Sequence, residues 1–243
     1  MNEILALTLH ALRGDMARLD TVAMNQANAN TPGYKREVPA LAFAQRVEGA
    51  LADATRMDLR QGTLKSTGQA LDLALSGGGW FEVMTEHGPA YTRQGNFRAD
   101  ARGRLVTEQG HPVMGQAGEI LLPQGTAHID AQGRVFEGHP AGAGTVARTG
   151  EAALAQLRIV AFGDGASPER AGAGLVRFHG AAAQPADPRT EVRQGHLENS
   201  NVSAMDEMVQ LLRTLRHFES VQKATTGYDE MLGGAIRRLG ENA

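Results

Sequence analysis

The sequence predicts an α+β fold: two long terminal α-helices forming a coiled-coil-like pair, with a mainly antiparallel, β-rich central domain between them. Three observations lead there. Leu5, Leu9, Leu12, Met16, Leu19 and Ala23 recur at alternating spacings of four and three, the seam of a helix that packs on another helix. Val221, Thr225, Tyr228, Leu232, Ala235 and Leu239 repeat that rhythm at the far end, after a broader stripe of Met205, Met208, Leu212, Leu215 and Phe218. The chain between them reads as short strands punctuated by glycine. Neither helix has a neighbouring helix in sequence, so each must pack on the other or on another copy of the chain.

The first helix is expected from about Ile4 to Asn28. Asn25, Asn28 and Asn30 are poor helix formers, Pro32 disfavours the α region at Thr31, and Gly33 permits a turn. Residues 1–34 therefore read as an N-terminal amphipathic segment. Residues 35–60 fit neither helical nor strand periodicity cleanly and are assigned as a connector.

From residue 61 to 195 the signals are those of a β-rich body. Leu71, Leu73 and Leu75 alternate with Asp72 and Ala74, and Gly77, Gly78 and Gly79 separate them from a second run at Trp80–Met84. Further strands are expected at 90–93, 96–99, 105–107, 112–114, 120–122, 135–136, 157–162 and 176–179. Such close spacing favours antiparallel pairing. Asp100-Ala101-Arg102-Gly103-Arg104-Leu105 recurs as Asp130-Ala131-Gln132-Gly133-Arg134-Val135. The carboxylate at the first position of each bonds backbone amides and the glycine accepts positive φ, so both are read as hairpin turns. Residues 138–150 read as a surface loop and 181–188 as a segment leading out of the body. The last region, 196–243, carries the C-terminal helix. Ser203 with Asp206 makes a capping box, Asp206 and Glu207 complement the helix start, and Arg237 and Arg238 its end.

Composition excludes several classes of function. The net charge of −3 lacks the basic excess of a nucleic-acid binder. The absence of cysteine removes disulfides, thiolate metal sites and cysteine nucleophiles. His10, Arg13 and Asp15 interrupt the N-terminal apolar run, arguing against a secretory signal, and no stretch approaches the roughly 18 consecutive apolar residues of a membrane span. The eight histidines are scattered, without the paired spacing of a helical metal site. The glycine triplet lacks the lysine and hydroxyl residue of a phosphate loop, and no serine lies in a G-x-S-x-G elbow. No catalytic constellation, metal site or cofactor site is expected. Asp72, Glu82 and Glu119 would need to cluster in a cleft to form an acid–base pair.

Specific residues carry a family resemblance. Ala27-Asn28-Ala29-Asn30-Thr31-Pro32-Gly33-Tyr34-Lys35-Arg36 resembles the N-terminal signature of bacterial flagellar rod and hook proteins. Leu197-Glu198, Ser200-Asn201-Val202, Glu207-Met208-Val209, Phe218-Glu219 and Asp229-Glu230-Met231-Leu232 resemble that family's C-terminal helix. Gly79-Trp80-Phe81, Tyr91-Thr92-Arg93, Gly95-Asn96-Phe97 and Gly103-Arg104-Leu105-Val106 follow its order in the middle. Gly110-His111-Pro112-Val113-Met114-Gly115 is similar to the proximal-rod branch. Met24, Gln26 and the Gly233-Gly234 pair depart from the pattern.

The resemblance implies a non-enzymatic subunit of the basal-body rod, exported by the flagellar type III apparatus without a cleaved signal peptide. Its partners would be copies of itself and neighbouring rod subunits, with no nucleic acid and no membrane insertion. The assembly residues it and the helical seams point to are Leu5, Leu9, Leu12, Met16, Leu19, Asn28, Asn30, Pro32, Gly33, Tyr34, Met208, Leu212, Leu215, Phe218, Val221 and Leu232. A distal-rod or hook-related axial subunit, a monomeric envelope binding module and a β-rich envelope hydrolase are the alternatives.

Overall fold

A computed structural model describes residues 2–39, 55–122, 127–137, 152–163 and 165–241, excluding the side chains of 2–5, 229, 232, 235, 236 and 238–241. The expected loop at 138–150 and most of the connector lie outside the described residues. The chain divides into two units. One comprises residues 1–29, 36–58 and 202–243, and the other residues 30–35 and 59–201.

The first unit holds both long helices, α1 (Asn2–Ala27) and α2 (Ala204–Glu241), and an antiparallel strand pair, β1 (Glu37–Pro39) with β2 (Thr55–Met57). Ser203 caps α2: its Oγ accepts from the Asp206 amide at 3.4 Å and its carbonyl from the Glu207 amide at 3.0 Å. α2 runs unbroken through Gly227, Gly233 and Gly234. α1 stops at Ala27, where the Asn28 side chain turns back to donate to the Met24 carbonyl at 2.9 Å.

The second unit is the β body, in which every strand pairing is antiparallel. Its strands are, in chain order, β3 (Leu64–Ser66), β4 (Leu73–Ser76), β5 (Trp80–Thr85), β6 (Gly88–Thr92), β7 (Arg98–Ala99), β8 (Leu105–Val106), β9 (Met114–Gly115) and β10 (Gly118–Glu119). They continue as β11 (Ala127–Ile129), β12 (Arg134–Glu137), β13 (Ala155–Gln156), β14 (Ile159–Ala161), β15 (Ser167–Gly172), β16 (Leu175–His179), β17 (Gln184–Pro185), β18 (Glu191–Gln194) and β19 (His196–Glu198). The largest sheet has six strands in the order β15-β16-β6-β5-β14-β17, and β11-β12-β13 make a smaller one. β4 pairs with β18, and β3 with β19, so the last strands of the body close on its first.

Alternation along β5 assigns its faces. Phe81 and Val83 enter the core with Leu73, Leu75, Leu105, Val113, Ile120, Val135, Leu157 and Val192. Trp80 joins an aromatic cluster with Phe178, at 5.3 Å between ring centroids, while Phe178 stacks on Phe162 at 3.9 Å and Tyr91 meets Phe162 edge-on at 4.7 Å. Backbone packing at Gly95 is close enough that a Cβ there would sit 1.6 Å from the Leu73 carbonyl oxygen, so only glycine fits.

Two strand expectations are corrected. The run 157–162 is strand only at Ile159–Ala161; Leu157 makes an isolated antiparallel bridge to Gly115 and its side chain is in the core. Residues 181–188 do not simply leave the body. Gln184–Pro185 forms an edge strand on β14, a position where proline's missing N–H costs no ladder bond and no hydrophobic alternation marks the strand.

The repeated hexapeptides form matching turns. Asp100 accepts from the Arg102 and Arg104 amides at 2.8 and 2.9 Å, and Asp130 from the Gln132 and Arg134 amides at 3.0 and 2.9 Å. Gly103 and Gly133 take φ of +76° and +74°. In each turn the following arginine also binds the carboxylate through Nε, at 2.8 and 2.7 Å. The Arg104 backbone amide, assisted by the Arg104 side chain and the Arg102 amide, holds the Asp100 carboxyl below its ordinary range. A depressed carboxylate stabilises the fold above its unfolded value and loses that contribution as pH falls through the folded one. Acid titration monitored by thermal melting is therefore expected to weaken the body below about pH 4, and Asp100→Asn to flatten that dependence while lowering stability at neutral pH.

Candidate assembly surface

The helical unit is built on contact between α1 and α2. Asp15 meets His217, whose Nδ1 donates to its carboxylate at 2.6 Å, and ten residues later Asn25 donates to Glu207 at 3.4 Å. Rising numbers on α1 meet falling numbers on α2, so the helices run antiparallel.

Burial along each helix identifies the residues shielded within this unit. On α1 they include Thr8, Leu12, Asp15, Leu19, Val22 and Asn25, with Thr21 beside Val22, and on α2 Glu207, Leu211, Thr214, Phe218, Val221, Thr225 and Tyr228. The spacings are mostly fours and threes, one helical stripe each. Several of the most buried members are polar: Asp15, Asn25 and Glu207 are each no more than 2% exposed. They are paired, as burial of a charge or amide requires. Glu207 takes an ion pair from Arg36, and Asn25 brackets Glu37 by accepting from its amide at 2.9 Å and donating to its carbonyl at 2.7 Å.

The apolar side chains lie elsewhere. Met205, Met208, Leu212 and Leu215, at spacings of three, four and three on one face of α2, are 76%, 54%, 51% and 39% exposed. On α1, Leu9 and Met16 share a face, seven residues apart, and are 49% and 58% exposed. Single exposed leucines need no explanation, but an ordered stripe beside a polar-rich buried face does.

The family follows from comparison with known proteins. Residues 74–136 match the family described as the flagellar hook protein FlgE/F/G D1 domain, and residues 193–238 the flagellar basal body rod FlgEFG protein C-terminal region. The flagellar basal-body rod protein FlgF of Escherichia coli (strain K12) is 35% identical over 235 residues, spanning 89% of this chain and 90% of the relative. The chain belongs to the flagellar basal-body rod protein family. FlgF of Rhizobium meliloti (strain 1021) is 32% identical, covering 95% of the chain and 96% of the relative. FlgG of Bacillus subtilis (strain 168) is 31% identical, covering 92% and 94%. The protein is a structural rod subunit of the flagellar basal body.

In this rod subunit the sequence-derived interface residues separate into three groups. Leu12, Leu19, Phe218 and Val221 are half-buried within the helical unit, whereas Leu9, Met16, Met208, Leu212 and Leu215 are exposed; the side chains of Leu5 and Leu232 lie outside the described ones. Asn28 is half-buried beyond the end of α1 and Asn30 is exposed. Pro32, Gly33 and Tyr34 belong to the β body. Gly33, at φ +67°, donates to the Glu198 carbonyl at 2.7 Å, and Arg170 lies over the Tyr34 ring at 4.1 Å.

Sequence reasoning missed the polar members of the buried stripe. Thr8, Asp15 and Val22 recur every seven residues one position before Leu9, Met16 and Ala23, a register that a search for apolar residues passes over. It placed Glu207 at the helix start but not in a buried ion pair, since its partner Arg36 lies 171 residues away in sequence.

Proposed function

We propose that this rod subunit polymerises through its terminal helices, in a coiled-coil-like inner layer, and transmits torque across the periplasm as part of the proximal rod. The exposed apolar stripe of α2 carries this reading. Covering each of its large side chains would contribute about 1.5–3 kcal/mol, which a lone subunit forgoes and a neighbour supplies. A heterologous contact between unlike helix faces builds a helical filament when its rotation does not close. The role is structural and non-enzymatic.

Proximal placement is supported by the FlgF relative at 35% identity, against FlgG relatives at 31% and 32%. Distal placement is the alternative. Export through the flagellar type III apparatus belongs to the same reading. The partners are other copies of the chain and neighbouring rod subunits.

Purified hook–basal bodies from a strain carrying an epitope-tagged chain are the test. The subunit is expected to remain with the rod after the membrane is extracted, and its deletion to abolish motility. Recovery of the tagged chain only as a free monomer, with motility intact after deletion, would contradict the reading.

A further inference from the structure

Within the β body one carboxylate gathers segments that are far apart in sequence. Glu198 ends β19 and is 1% exposed. Its Oε1 accepts from Lys35 Nζ at 2.6 Å and from the Gly62 amide at 2.9 Å, and its Oε2 from Arg93 Nη1 at 3.0 Å. The two cations reach onward. Lys35 Nζ also donates to the Arg60 carbonyl at 2.8 Å, and Arg93 Nη2 to the Gly77 carbonyl at 2.8 Å. Arg93 Nε makes no hydrogen bond, and the guanidinium lies over the Trp80 ring, 5.6 Å from its centroid.

Both backbones join this cluster. The Gly33 amide donates to the Glu198 carbonyl at 2.7 Å, and the Asn201 amide to the Tyr34 carbonyl at 3.3 Å. The chain enters the body's residues between 29 and 30, leaves them between 35 and 36, re-enters between 58 and 59, and leaves again between 201 and 202. Inside the body Glu198, itself shortly before the last of these points, binds Lys35 and the Gly62 amide, which lie beside two of the others. A buried ionic cluster is a weak source of net stability and a strong source of geometric definition, because removing one partner strands the others while uncharged substitutes can fold as well.

We propose that Glu198 is the mechanical coupling residue of the subunit: within the body it locks the segment that follows α1 to the segment that precedes α2, so that load carried by either segment is shared by one ionic cluster. Its structural part stands on the body alone; its mechanical part rests on the rod reading above. Through Arg93 the same carboxylate is also tied to the Gly77 turn within the sheets.

The test uses the full chain with Glu198→Gln and with Lys35→Met/Glu198→Gln, the latter removing the anion with one of its two cations so that the net charge of the cluster is unchanged. Amide exchange at Gly33 and Gly62 in the purified subunit is expected to accelerate about tenfold or more in both variants, while the double variant keeps a cooperative melt. In cells the double variant is expected to assemble rods in normal number yet to lose swimming at a viscosity the wild type tolerates. Unchanged exchange at both glycines would overturn the lock itself. Faster exchange with unchanged swimming under load would overturn the mechanical role, and absence of the wild-type chain from the rod would instead overturn the reading on which that role rests.

Discussion

Leu215→Asp is expected to leave the melting temperature of the free subunit close to wild type and to abolish rod assembly and motility. Leu215 is 39% exposed on α2 and lies on the stripe with Met205, Met208 and Leu212 rather than on the buried face. A carboxylate there stays solvated in the free subunit and costs little. In an assembled helix layer it would be buried without a cation, at a cost of several kcal/mol per subunit, repeated at every contact along the filament. Leu12→Asp provides the contrast. Leu12 is half-buried within the helical unit, so its substitution is expected to loosen α1 and lower helicity already in the free subunit. Circular dichroism of the two purified variants, with counts of basal bodies from the corresponding strains, separates an assembly surface from an internal one.

Phe81→Ala is expected to destabilise the β body by about 3–5 kcal/mol, a large part of the total stability of a domain. Phe81 is fully buried, in the central part of the six-stranded sheet, and meets Phe97 edge-on at 5.2 Å between centroids. Truncation removes apolar burial and leaves a void that the sheet cannot close, since β6 and β14 hold β5 on both sides. Urea unfolding of the purified chain, followed by Trp80 fluorescence, gives the change directly. A shift below about 1 kcal/mol would mean that the core repacks around the vacancy.

How much of this was legible in the sequence depended on whether the signal was local. The end of α1 before Thr31-Pro32-Gly33, the Ser203 cap of α2 and the twin aspartate turns are each specified within a few residues, and each forms as the sequence predicts. The six-stranded sheet was visible in its alternating members, such as β5, but not in β17, whose Gln184 and Pro185 carry no periodicity. The buried helix stripe was displaced by one position for a physical reason. Periodicity finds apolar side chains, and here Asp15, Asn25 and Glu207 are buried while Met16 and Met208 are exposed. Glu198 was visible only as part of a family signature, because Lys35, its ion-pair partner, is 163 residues distant.

That inversion also explains why a rod subunit would place charge inside and methionine outside. The ion pair of Asp15 with His217 and the hydrogen bond of Asn25 to Glu207 link α1 and α2 in their antiparallel register. On the proposed reading, apolar side chains, which tolerate many partners, are left for neighbours. Register would then be set within the subunit and adhesion by the contact between subunits.

Site-specific photo-crosslinking from position 215 in intact basal bodies reads the proposed contact between subunits. With the photoreactive residue in place of Leu215, the expected product is a covalent adduct to a terminal helix of a second copy of the chain or of a neighbouring rod subunit. Recovery of the chain from those basal bodies without an intermolecular adduct, while the same probe placed in the β body does crosslink, would contradict it.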